Sequence, residues 1–173
     1  MVQYKMKLLR NKIIFLFSII MSFGLSNETN KIPNLEIKLL DGSKIKIHEL
    51  LDDGPLLIDF WATWCNPCKK VMKHLNQYDQ EYKKQGFKVL MINTDSPRSF
   101  GKVKSYIRSQ KYKFHVGLDP NKTIAKKLNG MTMPTLILVD KTGEVKWRHQ
   151  GYLPGEEVEI EKQVKELVTK KPK

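Results

Sequence analysis

Cysteine is nearly absent from this chain of 173 residues: there are two, at positions 65 and 68. So few cannot build a disulfide-stapled scaffold, a four-cysteine zinc site or a cysteine-ligated iron–sulfur cluster. A long apolar run is missing too. The apolar stretch from Ile13 onward lasts about a dozen residues, short of the ~20 that a spanning helix needs. Acids are few beside bases, 18 against 31, for a net charge of +13. The lysines are scattered along the whole chain. That pattern describes a solvated basic surface and argues against a nucleic-acid site. Internal repeats and low-complexity segments are absent. Apolar residues make up 40% of the chain and charged ones 28%, so a buried core is possible and wholesale disorder is excluded. The length suits one domain.

Residues 1–12 carry Lys5, Lys7, Arg10 and Lys12 and no acid. The apolar run Ile13 to Met21 follows, then Ser22-Phe23-Gly24-Leu25-Ser26, with small residues two apart at 24 and 26. This is the pattern of a secretory signal peptide, with an uncleaved anchor formed by residues 13–26 as the alternative. No cysteine follows the run, which excludes a lipoprotein anchor. Cleavage after residue 26 would leave 147 residues of the 173, and loss of four cations would lower the net charge from +13 to +9. An exported, periplasmic or extracytoplasmic protein is expected.

Residues 27–32 read as a polar linker, residues 33–169 as one domain and residues 170–173 as a basic tail. Leu35, Ile37 and Leu39 alternate with polar residues, Asp41-Gly42 marks a turn, and Ile45 and Ile47 alternate again, which predicts a β-hairpin. Leu56 to Trp61 is an apolar run broken only by Asp59, a buried central strand. Val71, Leu75, Tyr78 and Tyr82 form one helical face after Cys68, and Gly86 suits its stop. Phe87–Asn93 reads as a second buried strand. Ser96-Pro97 and Asp119-Pro120 each look like a helix cap with proline in the first turn. They open helices marked by Phe100, Val103 and Ile107 and by Ile124, Ala125 and Leu128, with a short strand from Phe114 to Leu118 between them. A hairpin of Thr135–Val139 and Val145–His149 and a helix marked by Ile160, Val164, Leu167 and Val168 complete the chain. The alternation predicts an α/β fold, one mixed sheet with helices on both faces.

Cys65-Asn66-Pro67-Cys68 falls where a strand ends and a helix begins. The unpaired N–H groups and positive dipole end of that helix would face Cys65 and favour its thiolate, lowering its pKa below ~8.5. Cys68, one turn on, can reach back to it, and Pro67 gives up an N–H that has no helical partner anyway. Such a pair attacks a partner disulfide with one sulfur and resolves the mixed disulfide with the other. An inert disulfide and half of a metal site with His74 or other histidines are the competing readings. The first restrains little chain, and the second lacks zinc or copper spacing. Asp59 is either a solvent-facing edge residue or a buried carboxyl of raised pKa that moves a proton for Cys68.

Asp59-Phe60-Trp61-Ala62-Thr63-Trp64-Cys65-Asn66-Pro67-Cys68-Lys69 resembles the active-site run of the thioredoxin superfamily, and Met133-Pro134-Thr135 is similar to its cis-proline signature. The N-terminal hairpin, the inserted helix and strand over about 96–118 and the Gly151-Tyr152-Leu153-Pro154 turn look like the exported TlpA/ResA-type branch, a redoxin-type domain. The resemblance covers roughly residues 33–169. It implies a thioredoxin fold, Cys65 as nucleophile, Cys68 as resolving thiol, Asp59 as proton relay and a cis Pro134. A substrate groove would be formed by Trp64, Asn66, Pro67, Met133 and Pro134. Asn66 stands where cytoplasmic thioredoxins have glycine. Val71 stands where ResA-type reductases carry a glutamate, which argues against a dedicated role in cytochrome c maturation. Ala62 stands where peroxiredoxins have threonine, which argues against a peroxidase.

The expected activity is protein-disulfide reduction with no bound cofactor or metal beyond the redox-active Cys65–Cys68 disulfide. Expected partners are disulfide-containing exported proteins and a membrane thiol reductase as electron donor, with the protein itself a monomer. The rival readings are an oxidising disulfide donor and a non-catalytic adaptor or copper chaperone.

Overall fold

The computed structural model describes residues 30–169. The leader read in residues 1–26 and the tail of residues 170–173 lie outside them. Strand β1 (Glu36–Leu39) pairs antiparallel with β2 (Lys44–Lys46). Strand β3 (Leu56–Trp61) is buried at all six positions, as expected of a strand with sheet on both edges and helices on both faces. It pairs parallel with β4 (Lys88–Asn93), which pairs parallel with β5 (His115–Leu118). On its other edge β3 meets β6 (Thr135–Val139) antiparallel, and β7 (Val145–Gln150) closes that side. The sheet order is β2-β1-β5-β4-β3-β6-β7, a mixed sheet of thioredoxin type.

The helices are α1 (Asn66–Glu81), α2 (Phe100–Ser109), α3 (Thr123–Lys127) and α4 (Glu157–Thr169). The alternation of β3 divides the core between the two faces. Leu57 and Trp61 join Val71 and Leu75 of α1, Val103 of α2 and Ile160 and Val164 of α4. Leu56, Ile58 and Phe60 join the 3₁₀ turn Ile47–Leu51 and Ile124 and Ala125 of α3. The predicted α1 face of Val71, Leu75, Tyr78 and Tyr82 is buried throughout.

Three local expectations need correction. Asn30 to Ile32 are not linker: the Val145 N–H donates to the Asn30 carbonyl at 2.7 Å and the Ile32 N–H to that of Gly143 at 2.9 Å. Ile32 is buried with Ile47 and Val139, and this apolar anchor starts the domain by residue 30. Pro120 is not in the first turn of α3. Asp119 accepts from the Thr123 and Ala125 N–H groups at 2.9 and 2.8 Å across an intervening turn, with Lys122 at φ 56°. Gly86 closes a 3₁₀ turn, Lys83–Gln85, rather than α1 itself. At φ 78° it is a left-handed position, and a Cβ there would strike the Asp53 carbonyl.

The register fixes two poles. Phe60 lies opposite Thr135, and Leu56 opposite Val139. The β6–β7 turn that receives residues 30–32 is therefore at the start of β3, and the cysteines follow its end. The chain enters the domain at the pole away from them.

Candidate active site

Cys65 is the N-cap of α1, in extended backbone geometry, and its Sγ accepts from the Cys68 N–H at 3.3 Å. Asn66 and Pro67 fill the first turn and are exposed. The two cysteines form a disulfide with Cα atoms 5.3 Å apart. Its sulfurs are not equivalent. Cys68 is fully buried, whereas Cys65 keeps 4% of its surface beside Trp64, which is 69% exposed. After reduction, Cys65 therefore holds both the outward position and the helix N–H groups that favour a thiolate.

Asp59 lies on the β3 face shared by Leu57 and Trp61, toward α1. Its side chain is completely buried, and neither carboxyl oxygen has a hydrogen-bond partner of good geometry. Burial pushes its pKa well above the ordinary carboxylate range, and the backbone N–H groups of Phe60 and Thr135 offset this only in part. The solvent-facing reading of Asp59 is thereby excluded. Cys68 Sγ sits 3.9 Å from the carbonyl oxygen of Phe60, the next residue. An unpartnered buried carboxyl is costly.

The Met133–Pro134 bond is cis. Its loop is held against the end of the sheet by the Gly151 N–H, which donates to the Pro134 carbonyl at 2.9 Å, and by the Thr135 hydroxyl, which donates to that of Thr132 at 2.6 Å. Gly130 begins the loop, where a Cβ would run into the Phe60 ring. Met133 is half-buried, while Met131 and Leu153 in the flanking loops are exposed, as is Trp64. Trp61, in contrast, is core, its ring 5.8 Å from that of Tyr106. The His74 ring, on α1, lies 6.4 Å from that of Tyr152, His48 Nε2 is 3.0 Å from the Ile32 carbonyl and His149 Nε2 3.3 Å from Glu156. Among the described residues, no three His, Cys, Asp or Glu side chains cluster to hold a metal.

Asn93, Thr94 and Asp95, all buried, were not singled out by the sequence reading. Asp95 Oδ2 accepts from the Thr63 N–H at 2.7 Å and from Asn93 Nδ2 at 2.9 Å. The Thr94 N–H donates to the Trp61 carbonyl at 3.0 Å, and its hydroxyl to Met133 Sδ at 3.4 Å. One three-residue segment thus ties the cysteine loop to the cis-proline loop. Its signal in the sequence is a polar triplet ending an apolar strand at the sheet's carboxyl end, where sites of open α/β sheets gather. Asp95→Ala strands the Thr63 N–H. We expect a stability loss of about 1–3 kcal/mol in denaturant titration, with faster alkylation of reduced Cys65 as its loop loosens.

The Redoxin family model matches residues 27–165. The chain belongs to the Redoxin family. It is 31% identical over 127 residues to the thiol-disulfide oxidoreductase ResA of Bacillus thuringiensis subsp. konkukian, covering 73% of this chain and 72% of that one. ResA of Geobacillus kaustophilus is 29% identical over the same length. Among solved structures, a Chlorobium tepidum protein assigned as the thiol:disulfide interchange protein DsbE superposes with a TM-score of 0.74 at 27% identity, over 81% of this chain and 96% of that one. StoA from Bacillus subtilis shares the fold, with a TM-score of 0.61 at 22% identity over 76% and 98% of the two chains. In this Redoxin-family chain Val71 is packed in the core, so the glutamate of the ResA-type pattern has no equivalent there.

Proposed function

We propose that the Cys65–Cys68 pair of this thiol–disulfide oxidoreductase works in the reducing direction, on disulfides of exported proteins. The observation that carries the exchange chemistry is the asymmetry of the pair: Cys65 caps α1 at the surface, and Cys68 is sealed behind it; the reducing direction rests on the likeness of residues 59–69 to the thioredoxin active-site run. The Cys65 thiolate attacks a substrate disulfide, forming a mixed disulfide and releasing one substrate thiolate. Cys68, deprotonated by Asp59, then attacks Cys65 Sγ and expels the second thiolate. Two electrons have passed to the substrate, and the pair ends as the disulfide seen here.

Asp59 takes the Cys68 proton and returns it as the leaving thiolate departs. Trp64, Asn66, Pro67, Met133 and Pro134 form the groove for the substrate strand. Export rests on the leader pattern of residues 1–26, and regeneration requires a reductant outside the cytoplasm, for which a membrane thiol reductase is the fitting partner. No further cofactor is needed, because the electron pair resides on the two sulfurs.

The test is the reduction potential of the pair, measured on the full chain in mild non-ionic detergent by equilibration with dithiothreitol or glutathione buffers. A value near or below about −270 mV is expected of a reductant. A value near about −120 mV would belong to a disulfide donor and overturn the direction.

A further inference from the structure

The charge of this protein is unevenly placed around the cysteines. From Ser96 to Leu118 the sequence has six lysines and arginines in 23 residues and no acid. This segment contains α2, whose exposed side presents Lys102, Lys104 and Arg108. None of these three forms an ion pair among the described residues, whereas the lysines of α4 pair with Glu159 and Glu161. The active-site end of α1 continues the pattern with Lys69, Lys70 and Lys73, and α1 has no acid before Asp79. Lys69 Nζ lies 5.3 Å above the Tyr106 ring, so the two helices present one cationic face.

That face begins beside Cys65. β4 ends at the active-site pole, so α2 starts there and runs away from it over ~15 Å, the length of ten helical residues. At its far end Lys104, Arg108, Lys111 and Lys113 rim a groove of about 570 Å³ floored by Ile107 and Tyr112, with Asp41 the one acid on its wall. A substrate protein docked at Cys65 with an ordinary footprint of about 800 Å² covers such a distance. The opposite flank is different. Beyond the cis-proline loop lie Glu156 and Glu157, both accepting backbone N–H groups of the 153–155 turn.

We propose that the α1–α2 face is a docking surface for acidic protein substrates, engaged while Cys65 attacks their disulfide. This rests on the disulfide-exchange reading above and adds a substrate class to it. Desolvating six or more unpaired cations against a neutral partner gains nothing. Against a partner rich in aspartate and glutamate they raise the encounter rate and orient the complex, because Glu156 and Glu157 repel the same partner from the other flank.

The experiment uses the reduced full chain in non-ionic detergent and two synthetic peptides, each with one disulfide, flanked by glutamates in one and by lysines in the other. The second-order rate constant of reduction is read against sodium chloride. The glutamate peptide is expected to react about tenfold faster at low salt, with the advantage gone by 0.5 M. In Lys70→Glu/Lys104→Glu the preference is expected to vanish or reverse, with the fold checked by circular dichroism. Equal rates for both peptides at every salt concentration would overturn the proposal. So would a preference that survives the charge reversal. Binding to phosphatidylglycerol vesicles without peptide discrimination would assign the face to a membrane and overturn it too. Reduction of neither peptide would instead strike the exchange reading itself.

Discussion

Serine at position 65 is expected to abolish disulfide reduction, and serine at position 68 to stop the same reaction one step later, with substrate covalently attached. The difference follows from the burial of the two sulfurs. Cys65 is the sulfur at the surface and at the helix N-terminus, so without it no thiolate meets the substrate. The loss should be at least ~10³-fold, as for other nucleophile deletions. Cys68 is sealed beneath it and cannot attack a protein disulfide directly. Its absence leaves the first step intact and removes resolution. The checking measurements are insulin reduction in dithiothreitol for activity and, separately, incubation of each reduced, desalted variant with a disulfide substrate in the absence of dithiothreitol, followed by non-reducing electrophoresis. Cys68→Ser should show a mixed-disulfide band that dithiothreitol removes, and Cys65→Ser should show none. Both variants should fold, because a bridge between residues three apart restrains the unfolded chain little. Trapping by Cys65→Ser instead of Cys68→Ser would reverse the assignment.

Much of this site was legible in the sequence because its chemistry demands particular residues at fixed spacing. A cysteine at a helix start with a second one turn on is local, and so is a lone acid within six strand residues. The apolar periods of β3 and α1 placed them next to each other. What stayed hidden depends on contacts across the chain. The hydrogen bond from Thr63 to Asp95 joins residues 32 apart, and nothing local distinguishes Asp95 from any polar residue after a strand. Ile32, between Lys31 and Pro33, shows no periodicity, yet the hairpin at residues 143–145 gives its backbone a partner and its side chain a core. Asp119 reaches the α3 amides only because Lys122 adopts a left-handed turn, which a cap-and-proline pattern does not encode. The cationic face was hidden in another way: scattered in sequence, the lysines of α1 and α2 become neighbours only through packing.

Asp59→Asn is expected to make the protein a slower enzyme and a more stable one, and the pair of effects separates a proton carrier from a merely structural residue. The amide cannot accept the Cys68 proton. Where the native carboxyl is ionised, above its raised pKa, resolution of the mixed disulfide should slow by roughly 10²-fold, while the initial attack by Cys65 stays near the wild-type rate. Stability moves the other way. Burial raises the Asp59 pKa in the folded state, so between its unfolded value of about 4 and that raised value the native protein holds a proton that the unfolded chain has released. Native binding of the extra proton means that stability falls as pH rises, by roughly 1 kcal/mol per pH unit across this window. Below pH 4 both states are protonated and the slope disappears. Asparagine has no proton to lose, so the variant should match the wild type in acid and gain on it as pH rises from about 4 to the raised native pKa, above which the difference levels off. Denaturant titrations at pH 4, 6 and 8 check the stability slope, and stopped-flow measurement of mixed-disulfide decay checks the rate. A variant equally slowed in attack and resolution, with the wild-type pH slope retained, would reduce Asp59 to a packing residue.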